Sequence, residues 1–211
     1  MKRMNETFGL YLILTDPVAG YEACAEAAAR QGVRYIQLRM KNADDDAFLA
    51  MAKRLREITR NTASRLIIND NPRVATQADA DGVHLGQDDL SISEARARWN
   101  MPGKIFGLST HDLEQARRAL EQQPDYIGIG PVFPTPTKPD AGPALGVAET
   151  GRIAASVPIT SVAIGGINAD NLPALIKAGA RNYCVIGAVN SAPDPSAAIA
   201  HLQRIWKTHV F

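Results

Sequence analysis

GVHLGQDDLSISEARARWNMPGKIFGLSTHDLEQARRALEQQPDYIGIG, residues Gly82–Gly130, holds three short apolar runs separated by two longer segments. The runs are GVHL (Gly82–Leu85), IFGL (Ile105–Leu108) and YIGIG (Tyr126–Gly130). Between them, Ser91–Arg98 and Asp112–Gln122 read as helices. Continuous rather than alternating apolar runs are what strands buried on both faces of a parallel sheet require. The pattern extends in both directions. LYLIL (Leu10–Leu14), YIQL (Tyr35–Leu38) and LII (Leu66–Ile68) precede it, and TSVAIG (Thr160–Gly165) and YCVIG (Tyr183–Gly187) follow it. Further helical segments lie at Ala19–Arg30, Asp44–Arg60, Val147–Ala155, Ala169–Ala178 and Pro195–Lys207, with Gly32 and Gly179 as stop signals. Alternation of strand and helix implies a parallel sheet. Eight such units favour an α/β fold closed as a (β/α)8 TIM barrel over an open doubly wound sheet. The expectation is a single domain over 1–211, with about 1–8 as an N-terminal extension.

Composition narrows the function. Twenty-three Lys and Arg against 22 Asp and Glu leave a net charge of +1, which gives no global electrostatic reason to expect nucleic acid or a membrane. No stretch approaches the roughly 20 apolar residues of a membrane span. The opening MKRMNETFG has no apolar core of an export signal. A cytoplasmic protein acting on small molecules is expected, and a homo-oligomer is left open. Cys24 and Cys184 show no paired-cysteine spacing and read as buried small hydrophobes.

The strand ends carry the chemistry, since in a parallel barrel they share the face that bears the active site. Period two places Gln37, Arg39 and Lys41 on one side of their strand and Ile36, Leu38 and Met40 on the other. Two cations aimed into a concave site suit phosphate oxygens. Asn69-Asp70 and Asp89 end the third and fourth strand units. Mg²⁺ takes one or two carboxylates and completes its shell with water and substrate phosphate, so two aspartates at neighbouring strand ends meet that need. The alternatives are a helix-capping Asp70 before Asn71-Pro72 and a turn-forming Asp89. Gly165-Gly166 and Gly187 stand where barrels often bind phosphate through backbone N–H groups. The proline-rich stretch Pro131–Gly146 reads as a binding loop or lid.

His84, His111, His201 and His209 form no metal-ligand spacing and no nucleophile triad. His84 reads as a strand residue, His111 as lying near a helix start, and the other two as surface positions. Trp206 and Phe211 read as packing residues. A site rich in phosphate handling and poor in acid–base groups points to departure of a phosphorylated leaving group, with electrostatic stabilisation as the main device.

At these residues the chain resembles the thiamine phosphate synthase family. The resemblance rests on QLRMK (Gln37–Lys41), IIND (Ile67–Asp70), ADGVHLGQDDL (Ala80–Leu90), GLSTH (Gly107–His111), DYIGIGPVFPTPTKPDAG (Asp125–Gly142) and VAIGGI (Val162–Ile167). It implies a transferase that joins 4-amino-5-hydroxymethyl-2-methylpyrimidine diphosphate to a thiazole phosphate and releases pyrophosphate, with Mg²⁺ as cofactor. Gln37, Arg39, Lys41, Asn69, Ser109 and Lys138 match positions that hold the pyrimidine diphosphate, and Leu38 and Met40 fall within the same binding stretch. Arg39, Lys41, Ser109 and Lys138 are the implied catalytic groups, and Asp70 and Asp89 match the magnesium ligands. Thr135, Thr137, Gly166, Ile186 and Gly187 match the thiazole phosphate site. Met40 stands where the family usually has Glu, and Gly187 where it often has Ser. Rival readings are a thiazole-isomerising relative, a non-catalytic phosphate-binding barrel and a phosphosugar isomerase. The first would lack the paired aspartates and the TPTK loop.

Overall fold

The computed structural model describes residues 6–137 and 142–210. Its eight strands are β1 (Leu10–Leu14), β2 (Tyr35–Leu38), β3 (Arg65–Asn69), β4 (Gly82–Leu85), β5 (Ile105–Thr110), β6 (Tyr126–Ile129), β7 (Thr160–Ile164) and β8 (Tyr183–Val185). Each pairs in parallel with the next, and β8 pairs with β1 to close the barrel. Around it run α1 (Tyr21–Arg30), α2 (Asp45–Thr59), α3 (Pro72–Gln77), α4 (Ile92–Arg98), α5 (Leu113–Gln122), α6 (Gly146–Ser156), α7 (Leu172–Lys177), α8 (Gly187–Asn190) and α9 (Pro195–Val210). The expected (β/α)8 barrel is therefore the observed fold.

Two helices escaped the sequence pattern because they are too short to display a period: α3 has six residues and α8 four. A third begins later than expected. Asn168 Oδ1 accepts from the backbone N–H groups of Asp170 and Asn171, and Asn171 Oδ1 accepts from that of Asn168. Side chains that satisfy backbone donors in this way hold a turn, and α7 starts only at Leu172.

Strand parity divides the apolar residues into two separate layers. Leu12, Leu14, Ile36, Leu38, Leu66, Ile68, Val83 and Leu85 face outward and join helix residues such as Leu55, Ile92 and Leu202 in the outer core. Tyr11, Ile13, Tyr35, Ile67, Ile105, Tyr126, Val162 and Cys184 fill the interior, with Phe8 below them. Phe8 meets the Tyr35 ring edge-on at 4.9 Å, and Asn182 Oδ1 accepts from the N–H groups of Phe8 and Gly9. The end of the N-terminal segment thus closes the barrel bottom.

Bulky rings inside the barrel need space from the strands beside them. At Gly107 an added Cβ would lie 2.2 Å from Cζ of Tyr126 and 2.5 Å from Nδ1 of His84. Both neighbours are tightly held, so the barrel interior would have to shift. Overpacking of this kind costs about 1–3 kcal/mol. Gly107→Ala should therefore lower the thermal midpoint by roughly 2–12 °C, given about 2–4 °C per kcal/mol for a chain of this size. Differential scanning calorimetry checks it, and an unchanged midpoint would show that the interior yields freely.

Candidate active site

A cavity of about 1170 Å³ opens at the C-terminal ends of the strands. Gln37, Arg39 and Lys41 reach it from β2, Asn69 and Asp70 from β3, and Ser109 from β5. Asp89 enters from the loop after β4, Thr135 and Thr137 from the loop after β6, and Gly166, Ile186 and Gly187 from the ends of β7 and β8. The structure thus brings together the residues expected from the sequence, with three exceptions. Leu38 is fully buried in the outer core, behind the strand. Met40 lines not this cavity but an adjoining cleft of about 840 Å³, beside Phe48, Pro72 and Arg73, which shares Lys41, Asn69 and Asp70 with it. Both corrections have one cause, the alternation that sends Gln37 and Arg39 inward and turns their neighbours out. Lys138 lies outside the described residues.

Backbone geometry shapes the acidic side. Asp70 has a φ of 59°, and its N–H donates to the carbonyl of His84 at 2.8 Å, which fixes it at the mouth. It does not cap α3; Asn71 does, with Oδ1 accepting from the N–H of Val74. Asp70 is instead ion-paired to Lys41 at 2.5 Å. Asp89 is indeed a turn residue, its Oδ2 accepting from Gly86 N–H at 2.7 Å. Partial burial raises the Asp89 carboxyl above its usual range, and the adjacent Asp70 carboxylate raises it further. The Gly86 N–H and the Lys41 charge act in the opposite direction. Arg39 has no carboxylate partner among the described residues, so its planar fork is available to an anion.

Asp70 lies close enough to Asp89 to raise its carboxyl, and the pair supplies hard oxygen donors of the type that Mg²⁺ binds. Among the described residues no cluster of three His, Cys, Asp or Glu suits a metal ion. A cation here would draw its other oxygens from water or substrate. The described lining carries Arg39 and Lys41 against Asp70, Asp88, Asp89 and Asp112. With acids outnumbering bases, an anionic ligand requires further positive charge.

The opposite wall is built from loops packed on glycine. Val132 N–H donates to Ile164 carbonyl and Phe133 N–H to Gly165 carbonyl, tying the loop after β6 to the end of β7. A Cβ at Gly165 would lie 2.6 Å from Cα of Pro131, and one at Gly166, with φ 63°, 2.5 Å from the Pro134 carbonyl. These glycines therefore serve the approach of the threonine-bearing loop as well as leaving backbone exposed. His111 Nδ1–H donates to Gly130 carbonyl at 2.8 Å and steadies the start of that loop. Gly187 opens α8, the short extra helix found near phosphate sites of such barrels.

Sequence reasoning missed the floor. Gln37 Nε2 donates to Tyr11 Oη at 2.8 Å, and Tyr11 and Tyr126 hydroxyls are 2.8 Å apart. Tyr126 Oη meets His84 Nδ1 at 3.0 Å, and His84 Nε2 meets Ser109 Oγ at 2.9 Å. Parity gave the usable signal: Tyr11, His84 and Tyr126 hold polar groups at inward positions of otherwise apolar strands.

The thiamine monophosphate synthase family model matches residues 10–189. A thiamine-phosphate synthase of Archaeoglobus fulgidus is 42% identical over 204 residues, covering 96% of this chain and 95% of that protein. One from Roseiflexus is 41% identical over 201 residues, covering 93% and 85%. The solved thiamine phosphate pyrophosphorylase from Pyrococcus furiosus superposes with a TM-score of 0.87 at 35% identity, covering 97% of this chain and 98% of that one. A 3-hexulose-6-phosphate synthase from Salmonella typhimurium, at 15% identity and a TM-score of 0.74 over 95% and 99% of the two chains, shares the fold.

The raised Asp89 pKa has a stability consequence. The folded chain holds this proton more tightly than the unfolded chain, so stability falls as pH rises from the usual carboxylate value, about 4, through the raised one. In metal-free buffer Asp89→Asn should melt above wild type at pH 7, and the difference should vanish below about pH 4. Melting curves across that range check this; an equal or lower midpoint at pH 7 would contradict it.

Proposed function

Because the chain belongs to the thiamine monophosphate synthase family, we infer that this cavity is where a pyrimidine diphosphate and a thiazole phosphate are joined. The chain is a transferase, and it couples 4-amino-5-hydroxymethyl-2-methylpyrimidine diphosphate with a thiazole phosphate to give thiamine phosphate and pyrophosphate. One observation carries the site reading. Gln37, Arg39, Asn69, Asp70, Asp89 and Ser109, from four successive strand ends, line one cavity.

The residues act by positioning and by charge. Arg39 and Lys41 meet the diphosphate, and negative charge grows on its oxygens as the bond to the pyrimidine methylene carbon breaks. Lys138, matched by resemblance, is assigned the same role. Gln37 and Asn69 hold the pyrimidine end, with the Gln37 Oε1 acceptor buried and still without a partner among the described residues. Ser109 donates to the leaving group. Asp70 and Asp89 would hold Mg²⁺, which supplies positive charge to the departing diphosphate. The excess of aspartates in the lining supports this assignment, since without added cations the cavity would repel its substrate.

Electron release from the aminopyrimidine ring stabilises the methylene cation left behind. Thr135, Thr137, Gly166 and the backbone at Ile186-Gly187 hold the thiazole phosphate so that the ring nitrogen faces that carbon. Fixing both partners in one site replaces a bimolecular encounter. The attacking nitrogen carries no proton, so the step needs no general base. The same features favour a cytoplasmic biosynthetic role on small molecules.

A coupled assay with both substrates tests this. Pyrophosphate and thiamine phosphate should appear in equal amounts, cease with EDTA and return with Mg²⁺. Arg39→Ala and Lys138→Ala should each lower turnover by roughly 10²–10³ with the fold intact, as loss of a charge-stabilising donor does. Asp70→Asn should raise the Mg²⁺ concentration needed for half-maximal rate. Normal rates in the first two variants, or an unmoved Mg²⁺ titration in the third, would remove those residues from the mechanism.

A further inference from the structure

Tyr11, Tyr126 and His84, which link Gln37 to Ser109 beneath the cavity, have no part in the steps above. Gln37, Tyr11, Tyr126, His84 and Ser109 are linked in that order by contacts of 2.8, 2.8, 3.0 and 2.9 Å. Gln37, His84 and Ser109 line the cavity, whereas Tyr11 and Tyr126 lie buried beneath it. With the Gln37 amide turned so that Nε2 faces Tyr11, the direction of every link follows from counting protons. Gln37 Nε2 can only donate, so the Tyr11 oxygen accepts from it. Tyr11 has one proton, and among the described residues its hydroxyl hydrogen-bonds only Gln37 and Tyr126. It therefore donates to Tyr126. The Tyr126 proton then goes to Nδ1 of His84, which can accept only when unprotonated. That leaves the ring proton on Nε2, where it donates to Ser109 Oγ.

With Gln37 Nε2 facing Tyr11, reversing the Tyr11–Tyr126 or the Tyr126–His84 link would strand a buried hydroxyl proton without an acceptor, which folded interiors avoid, and reversing the last link would leave the His84 ring with no proton. Burial also raises both phenols well above their ordinary range, so neither loses its proton near neutral pH. Gly107 makes the meeting of Tyr126 and His84 sterically possible.

We propose that His84 is a positioning residue, held as the neutral Nε2–H tautomer by this one-way chain, and that its hydrogen bond to Ser109 leaves the Ser109 proton directed into the cavity as a donor. The inference rests on reading that cavity as the diphosphate site. The two ends of the chain then differ in kind. Gln37 Oε1, buried and unpartnered, is an acceptor at β2, and Ser109 is a donor at β5. A substrate that carries an amino group on one part and an anionic oxygen on another meets both. Turning the Gln37 amide over would reverse every link and withdraw the Ser109 proton into the floor.

Two measurements on the full chain test it. In ¹⁵N-labelled wild type, with the ring signals of His84 assigned by their loss in His84→Gln, the proton should reside on Nε2 and Nδ1 should be bare. A proton on Nδ1, or on both nitrogens, would overturn the proposal. Kinetically, Tyr126→Phe touches no substrate yet should lower turnover about tenfold, the size of one misdirected hydrogen bond. Combined with Ser109→Ala, it should be no slower than Ser109→Ala alone. Losses that multiply would mean independent sites and overturn the positioning role. Should Tyr126→Phe fail to fold, Tyr11→Phe cuts the same chain one link earlier. If wild type forms no product, the functional reading fails, while the tautomer still decides the direction of the chain.

Discussion

A closed barrel of eight parallel strands admits only alternate side chains to its interior, and here three tyrosine rings claim most of that space. Tyr11, Tyr35 and Tyr126 lie with ring centroids 5.4 to 5.7 Å apart, and Phe8 meets Tyr35 from below. The rings plug the lower barrel, so the cavity exists only above them. Gly107 on β5 follows from the same constraint, since a methyl group there would collide with Tyr126 and His84. Buried hydroxyls also need partners, because an unpaired one costs about 1–3 kcal/mol. The chain from Gln37 to Ser109 meets that need for Tyr11 and Tyr126 and reaches the cavity at both ends. A packing requirement and a functional arrangement thus share the same atoms.

The cavity mouth shows the opposite balance. The Asp70 carboxylate helps to raise that of Asp89, and the described lining carries more acid than base. A protein selected for stability alone would separate such charges. Lys41 relieves part of the strain by pairing with Asp70, but at the exposed mouth that pair stabilises little. The arrangement makes sense if the charges are completed by cation and substrate together, so that neither occupies the site well alone. The opposite end of the barrel has no such frustration: Asp81 meets both Arg56 and Arg65, and its Oδ2 accepts from the backbone of Leu66.

The fold was legible because continuous apolar runs and helical spacing repeat eight times, and most strand limits agree within one or two residues. α3 and α8 were not legible, since neither is longer than two turns. Within the site, residues that alternate along a strand end could be read directly: Gln37, Arg39 and Lys41 do share the cavity. The same rule, applied strictly, would have withdrawn Leu38 and Met40 from the binding stretch. The floor was harder. Nothing local in GVHL distinguishes a strand histidine that packs from one that links Tyr126 to Ser109, because those partners lie 42 and 25 residues away. Asn182 and Asn190 were invisible for the same reason. Asn190 accepts from the Thr15 N–H and donates to the Ile13 carbonyl, tying α8 to the end of β1 across 175 and 177 residues of sequence.

The two departures from the family pattern fall on opposite sides of this division. Met40 packs on the outer core and lines the cleft beside Arg73, behind the strand that carries Arg39. This placement accords with the expectation that a departure here touches the support of the strand rather than substrate contact. Gly187 does face the cavity. A Cβ built there meets nothing within 4 Å, so neither crowding nor backbone conformation demands glycine. What the position lacks is a hydroxyl, and what it keeps is an N–H at the start of α8. Hydrogen bonds from backbone N–H groups hold their direction because the helix and the β7–β8 framework hold them. A serine hydroxyl must first be ordered, at a cost in rotamer entropy. On the proposed reading, thiazole phosphate recognition would rest on main-chain geometry and on the threonines of the loop packed against Gly165 and Gly166.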